Sequence, residues 1–181
     1  MREQAGFRGK AGEGLPPWAA GAIVLGVLGA AALVGRRNAP DRSHPGIRRW
    51  YHKLRKPGFT PPDPVFGAVW PILETIHGYG GYRVLRAPSS PQRNAAAALW
   101  LATSGMIGGW TQLFFKEHRL ATSFGAASAM FAGSLGYVAA AGSFDRKAAL
   151  AGAPLTAWLG FATLLSEEVW RKNTADVRAG R

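Results

Sequence analysis

Glu74 and His77 stand three residues apart near the middle of a stretch, Pro64–Tyr82, that contains no other Asp, Glu, Lys, Arg or His. On a helix they share one stripe with Gly67, Trp70, Gly78 and Gly81. An ionised carboxylate at the centre of a membrane helix costs on the order of 3 kcal/mol. Glu74 must therefore face other protein, and either pair or take up a proton. Three uses of the pair are open: handling a proton, lending the His77 imidazole to an iron, or satisfying each other and so fixing how the helix packs. A kink at Pro71 would in addition let water reach Glu74.

No other constellation of reactive groups stands out. There is no cysteine, which removes disulfides, thiolate catalysis and Cys-ligated metals. Ser104, Ser128 and Ser134 lie in apolar stretches without an evident His partner. No Gly-rich phosphate loop or paired carboxylates at a cleft can be identified. An enzyme is thus the lesser reading, left open.

The elements that must hold these groups are set by how charge is distributed. Runs free of Lys, Arg, Asp and Glu cover 15–35, 95–115, 120–144 and 148–166, and are rich in Ala, Gly, Leu, Val and aromatic residues. A bilayer core needs about 20 such residues per helix. With 64–82 as a further span, the expectation is an all-α membrane protein, a five-transmembrane-helix bundle. Its spans are about 15–35, 64–82, 95–115, 120–142 and 148–170, in a membrane domain 15–172 flanked by tails 1–14 and 173–181. A soluble all-α protein is the alternative, but its core helices would carry a polar face. Ala121–Gly142 offers only small hydroxyls and one Tyr.

The net charge of +12 then reads as topology, with nucleic acid not expected as a partner. Lys and Arg number 8 on one side: three in the N-terminal tail, three over Arg83–Arg93, and Arg146 with Lys147. The other side carries 14: eight over Arg36–Lys56, Lys116 with Arg119, and four after Trp170. Positive charge retained inside places the N-terminus outside and the C-terminus inside. The first apolar stretch is too long for a signal-peptide core and lacks a clear cleavage site, so it is expected to be a span.

Ahead of the second span stands KPGFTPPDPVFGAVW, Lys56–Trp70. Pro57, Pro61, Pro62 and Pro64 hold this lead-in extended and stiff. Asp63 is placed to accept from the first free N–H groups of a helix starting near Pro64. Upstream, RRWYHKLRKPGF mixes Trp50, Tyr51 and Phe59 with basic side chains. That is the pattern of a segment at headgroup level, serving as a simple anchor or as a cap on a helix bundle.

These residues carry a resemblance. WYHKLRKPGFTPPDPVFGAVW is similar to the W-Y-x-x-L-x-K-P-x-W-x-P-P signature of the TspO/MBR family, the translocator proteins and tryptophan-rich sensory proteins. The likeness continues through GYGGY (Gly78–Tyr82), W-x-x-x-F-F (Trp110–Phe115) and AWLGFATLLSEEVWRKN (Ala157–Asn173). The resemblance implies five membrane helices around a pocket, covered by the first loop, that binds tetrapyrroles such as protoporphyrin or haem and in some members sterols. It also implies a common homodimer. Ala, Gly and Arg are abundant, a compositional hint of a bacterial envelope.

A flat, weakly anionic macrocycle needs aromatic faces, small residues for space, and cations near its carboxylates. Trp50, Phe59, Phe66, Trp70, Trp110 and Trp158 supply rings, Gly67 and Ala162 supply room, and Lys53, Arg55 and Lys56 could meet propionates. Carried over by position, Phe66, Gly67 and Val69, with Trp158, Ala162 and Leu165, match ligand-lining places. Glu74 and His77 would be the polar groups of such a pocket, with His77 a candidate for a haem iron and no other metal expected. Trp18, Trp100 and Trp170 are expected to be belt or packing residues.

The departures from the family's pattern bear on the site. Phe59 stands where the signature has a second Trp, and Ile107 and Gly108 stand where the family often has Asn-Trp. Glu167 and Glu168 occupy the Tyr pair of the proposed sterol motif, so sterol binding is not expected. Gly105 and Gly109 form a GxxxG match, and Gly125, Ala129 and Gly133 repeat small residues every fourth position. Both are expected to serve close helix packing, within the chain or between copies.

Overall fold

The computed structural model describes residues 12–178, with side chains through 174. Residues 1–11 and 179–181, parts of the two expected tails, lie outside the described residues. Every regular element described is helical: α1 Pro17–Arg37, α2 Pro45–Lys53, α3 Asp63–Arg86, α4 Pro91–Thr111, α5 Leu120–Gly142 and α6 Arg146–Arg178. A π-helical turn, Gln112–Lys116, extends α4.

Five of these helices have 21 residues or more. Three windows, Pro17–Arg37, Leu120–Gly142 and Arg146–Thr174, are long and apolar enough to cross a membrane, with mean hydropathy 2.0, 1.3 and 1.5. α3 and α4 have the length but not that composition. Glu74, His77 and Arg83 interrupt α3, and Gln92, Arg93 and Asn94 fill the first turn of α4.

The bundle is layered by neighbours. α5 packs on α4 and α6, α3 packs on α6, and α1 lies over α3 and α4. Large apolar side chains face outward all round: Trp18, Leu25 and Leu33 on α1, Ile72 on α3, Leu101 on α4, Leu135 on α5, Leu150 and Leu164 on α6. In water this girdle would be an unusually extensive apolar patch; against hydrocarbon it is the expected outer face.

Small residues set the inner spacing. A Cβ on Gly78 would meet the Leu28 side chain at 2.8 Å, while Gly80 abuts the Tyr137 hydroxyl and Gly81 the Trp100 ring. Tyr137 and Trp100 are fully buried. The glycines of GYGGY thus let α1, α4 and α5 close on α3. On α4 the close approach to α1 is made at Gly108, where a Cβ would stand 3.4 Å from Ala31. Gly105 and Gly109 have nothing within 4 Å of a Cβ, and neither does Gly125. The expected packing role of the GxxxG pair is therefore not met inside this chain.

Two local expectations are corrected. The basic aromatic segment is partly helical, since α2 spans Pro45–Lys53 with Pro45 in its first turn. Asp63 does not cap α3, whose cap residue is Pro62 with no side-chain hydrogen bond. The Asp63 carboxylate turns back toward α2, 3.9 Å from His52.

At the opposite end, Arg83 and Asp145 join α3 to the α5–α6 turn. Arg83 Nε donates to Asp145 Oδ2 at 2.9 Å and its Nη2 lies at the same distance. Asp145 also accepts from the N–H groups of Lys147 and Ala148, each at 3.0 Å, capping α6.

Candidate functional site

Four of the expected ligand-lining rings meet on one side of the bundle. Trp158 on α6 lies 5.9 Å from Phe66 and 6.3 Å from Trp70 of α3, both edge-on. Phe59, from the loop between α2 and α3, reaches Phe161 at 6.2 Å, and Phe161 lies 5.2 Å from Trp158. Five rings from two helices and one loop are thus in continuous contact, three of the four contacts edge-to-face and the Trp158–Phe161 contact tilted at 40°.

Phe161 was not among the residues expected here, although its i+3 spacing from Trp158 was a readable signal. Ala162 and Leu165 follow Trp158 on its face of α6 and are half-buried, as is Val69 on α3. Gly67 is exposed, with open space where a Cβ would stand. Pro71 has no N–H, so the Gly67 carbonyl lacks its usual helical donor, yet α3 runs on unbroken to Arg86.

The indole N–H of Trp158 is buried and has no hydrogen-bond partner among the described residues. An indole donor in that state costs on the order of 1–3 kcal/mol. Among the described residues it is the buried donor of the ring cluster that has no acceptor.

Trp50 and Trp110 belong to a different cluster. Trp110 stacks on Phe114 at 4.7 Å and donates its indole N–H to the Ser123 carbonyl at 2.8 Å, tying α4 to α5. Trp50 stands edge-on to Phe114 at 5.6 Å and stacks on His118 at 3.9 Å. His118 has a φ of 56°, a left-handed conformation uncommon outside glycine. Nothing in the sequence marked His118. Trp70 and Trp110 pack on one shared core of Ile107, Met130, Leu155 and Leu159, so the two clusters have a common floor.

The loop over the ring cluster is fastened at several points. Thr60 closes a turn on the Pro57 carbonyl through both its N–H and its hydroxyl, at 3.0 and 2.7 Å. Lys56 Nζ sits 3.3 Å over the Tyr51 ring, a cation–π contact. Burial lowers the Lys56 ammonium from its ordinary value, with the Asp63 charge opposing. Burial, and then the Asp63 carboxylate beside it, push the Tyr51 phenol up. Asn173 of α6 holds the backbone of Arg55. Lys53 is exposed.

Glu74 and His77 face elsewhere. With Leu28 and Ala31 of α1 and Ser104 and Ile107 of α4 they line a crevice on the α1 side of α3. His77 is 1% exposed and packs against Tyr137 at 5.0 Å and Trp100 at 6.4 Å. Neither ring nitrogen of His77 has a partner among the described residues. The self-satisfied Glu–His pair is therefore not formed, and the shared stripe divides: Trp70 turns to α6, while Glu74 and His77 turn to α1 and α4.

The remaining expectations are placed simply. Trp18 is 68% exposed, Trp100 is buried with its indole N–H on the His77 carbonyl at 3.2 Å, and Trp170 stacks on Phe124 at 5.6 Å. Glu167 and Glu168 lie 3.9 and 3.6 Å from Arg171, a charged cluster near the end of α6. No group of three or more His, Cys, Asp or Glu side chains that could hold a metal ion occurs among the described residues.

Residues 22–171 match the family model described as the TspO/MBR family. The chain is 31% identical to the translocator protein of Homo sapiens over 162 residues, covering 87% of this chain and 92% of that protein. It is 30% identical to the tryptophan-rich sensory protein of Cereibacter sphaeroides, covering 86% and 92%. Protein CrtK of Rhodobacter capsulatus is 27% identical, covering 70% and 80%.

Proposed function

The chain belongs to the TspO/MBR family of membrane proteins, and from that premise we propose that it binds a tetrapyrrole, protoporphyrin or haem, between α3 and α6 beneath the α2–α3 loop. It acts as a sensor, scavenger or carrier, with α1, α3, α4, α5 and α6 as five membrane spans. The N-terminus lies outside and the C-terminus inside, in a bacterial envelope.

The observation that carries this reading is the ring cluster of Phe59, Phe66, Trp70, Trp158 and Phe161 around an unpaired indole N–H. Aromatic edges and faces suit a flat π-system, and the Trp158 N–H suits an acceptor such as a propionate or a pyrrole nitrogen. Basic side chains at Lys53 and Lys56 supply the complementary charge at the loop. A homodimer fits the open Gly105 and Gly109 face of α4, where none of the described residues lies within 4 Å of where a Cβ would stand.

A second reading has its own observation. The five rings already contact one another, 5.2 to 6.3 Å between centroids, so the cluster is self-filled. A structural or regulatory protein with a degenerate pocket would look like this. A porphyrin-degrading enzyme is the remaining alternative. It predicts loss of the porphyrin spectrum on illumination, abolished by Trp158→Ala.

Quenching of tryptophan fluorescence in the detergent-purified protein decides among them. Saturable quenching by protoporphyrin and by haem, weakened in Trp158→Ala and intact in His77→Ala, supports a stacking pocket between α3 and α6. Loss of haem binding alone in His77→Ala would make His77 an iron ligand. Absence of saturable quenching in the wild type would sink the tetrapyrrole reading and leave the degenerate pocket.

A further inference from the structure

The crevice between α1, α3 and α4 holds three polar side chains in otherwise apolar surroundings: the Glu74 carboxyl, the His77 imidazole and the Ser104 hydroxyl. His77 is 1% and Ser104 3% exposed, and neither side chain has a hydrogen-bond partner among the described residues. The crevice is too narrow to admit even a water molecule, far from the size at which small-molecule sites begin. A macrocycle does not fit there. The species these groups can bind in so small a space is a proton.

We propose that Glu74, His77 and Ser104 form a proton-binding site under α1, separate from the aromatic cluster and independent of whether that cluster binds a tetrapyrrole. Glu74 and His77 are one helical turn apart, so rotation of the Glu74 side chain about its own bonds brings the carboxyl to the imidazole. One proton then lies between a carboxyl oxygen and a ring nitrogen. Carboxylic acid with neutral imidazole leaves both groups uncharged, and the apolar walls favour it over carboxylate with imidazolium, whose two charges would each lose their hydration. Removing that proton, or adding a second, would leave a net charge among Leu28, Ala31 and Ile107, at a large desolvation cost. The pair therefore holds a single proton over a wide pH range and titrates as a unit.

Among the described residues, the surroundings add no competing charge. α1 contributes Leu28 and Ala31, and α4 contributes Ser104, Ile107 and Trp100, whose indole N–H is committed to the His77 carbonyl. From α5, the Tyr137 ring packs on His77 while its hydroxyl donates to the Ala148 carbonyl of α6 at 3.1 Å. Ser104 is the remaining free donor and serves the imidazole nitrogen or carboxyl oxygen that the shared proton leaves open.

Infrared difference spectroscopy of the full chain in lipid nanodiscs, titrated from acid to alkaline pH, tests the site. The expected result is a protonated-carboxyl C=O band still present at neutral pH, lost in Glu74→Gln, and moved to higher frequency in His77→Phe as the hydrogen bond disappears. If His77→Phe does not fold, as judged by helical circular dichroism, ¹⁵N-histidine spectra of wild type and Glu74→Gln replace it. The His77 ring nitrogens should then shift on loss of the carboxyl. A Glu74 already ionised at neutral pH, or a His77 environment unmoved by Glu74→Gln, overturns the proposal.

Discussion

Asn173 clamps the backbone of Arg55: its Nδ2 donates to the Arg55 carbonyl and its Oδ1 accepts from the Arg55 N–H, both at 3.0 Å. The same Nδ2 also donates to the Val169 carbonyl one turn back, at 2.7 Å. One amide thus joins the last turns of α6 to the loop that carries Phe59 over the ring cluster. Each such bond contributes about 0.5–1.5 kcal/mol. Asn173→Ala should lower thermal stability by a few degrees and increase proteolytic cutting at Leu54–Pro62. Asn173→Asp, which keeps the acceptor and loses the donor, should fall between. Unchanged protection of the loop in Asn173→Ala would show that the other loop contacts suffice.

Of the buried glycines described, Gly81 leaves the least room for a side chain, against the Trp100 ring. A Cβ on Gly81 would lie far closer than van der Waals contact to a ring that is fully buried and tied by its N–H to the His77 carbonyl. Gly81→Ala must push Trp100 or separate α3 from α4, an overpacking cost of typically 1–3 kcal/mol. The prediction is a marked drop in the detergent melting temperature, partly recovered when Trp100→Leu is added. Additive losses in the double variant would mean that the two residues do not meet as described.

How much of this was readable from the sequence depends on the signal. The charge-free runs mark helices at 17–37, 120–142 and 146–174 because an apolar stretch of that length has few other fates. The junctions were harder. The left-handed turn at His118 and the π-helical turn before it arise from closing α4 onto α5 through Trp110 and Trp50, a tertiary demand with no local pattern. The aromatic loop and α6 were legible as motifs, but Phe59, Phe66, Trp70 and Trp158 form one group while Trp50 and Trp110 form another. Ring type alone carries no partner information. Likewise, the stripe Trp70, Glu74, His77 looks like one face on a helical wheel. Three different neighbours, α6, α1 and α4, divide it.

Arg83 and Asp145 predict a pH dependence at the end opposite the loop. Burial pushes the Asp145 carboxyl up, but the Arg83 guanidinium and the Ala148 and Lys147 N–H groups outweigh it and leave the carboxyl below its ordinary 3.8. A group depressed on folding adds stability that is present above the unfolded value and lost as pH falls through the folded one. Wild type should therefore lose melting temperature on acidification below about pH 4, in the ordinary carboxylate range. Asp145→Asn, less stable at neutral pH, should lack that increment. Parallel acid profiles for the two proteins would refute the assignment.

Trp158 separates stability from binding. Its indole N–H is buried without a partner in the described chain, so the donor weakens the free protein, while the ring packs against Phe66, Trp70 and Phe161. Trp158→Phe keeps much of that ring packing and removes the orphaned donor. Its melting temperature should stay within a few degrees of wild type, because the lost packing is offset by relief of an unmet hydrogen bond of about 1–3 kcal/mol. If a ligand acceptor uses the N–H, the same variant should bind protoporphyrin about tenfold or more weakly, the factor that ~1.4 kcal/mol represents. Trp158→Ala should lose both, since the cavity alone costs about 3–5 kcal/mol. Equal protoporphyrin affinity in Trp158→Phe and wild type would assign the residue to packing and direct the search for the ligand's polar anchor to Lys53 and Lys56.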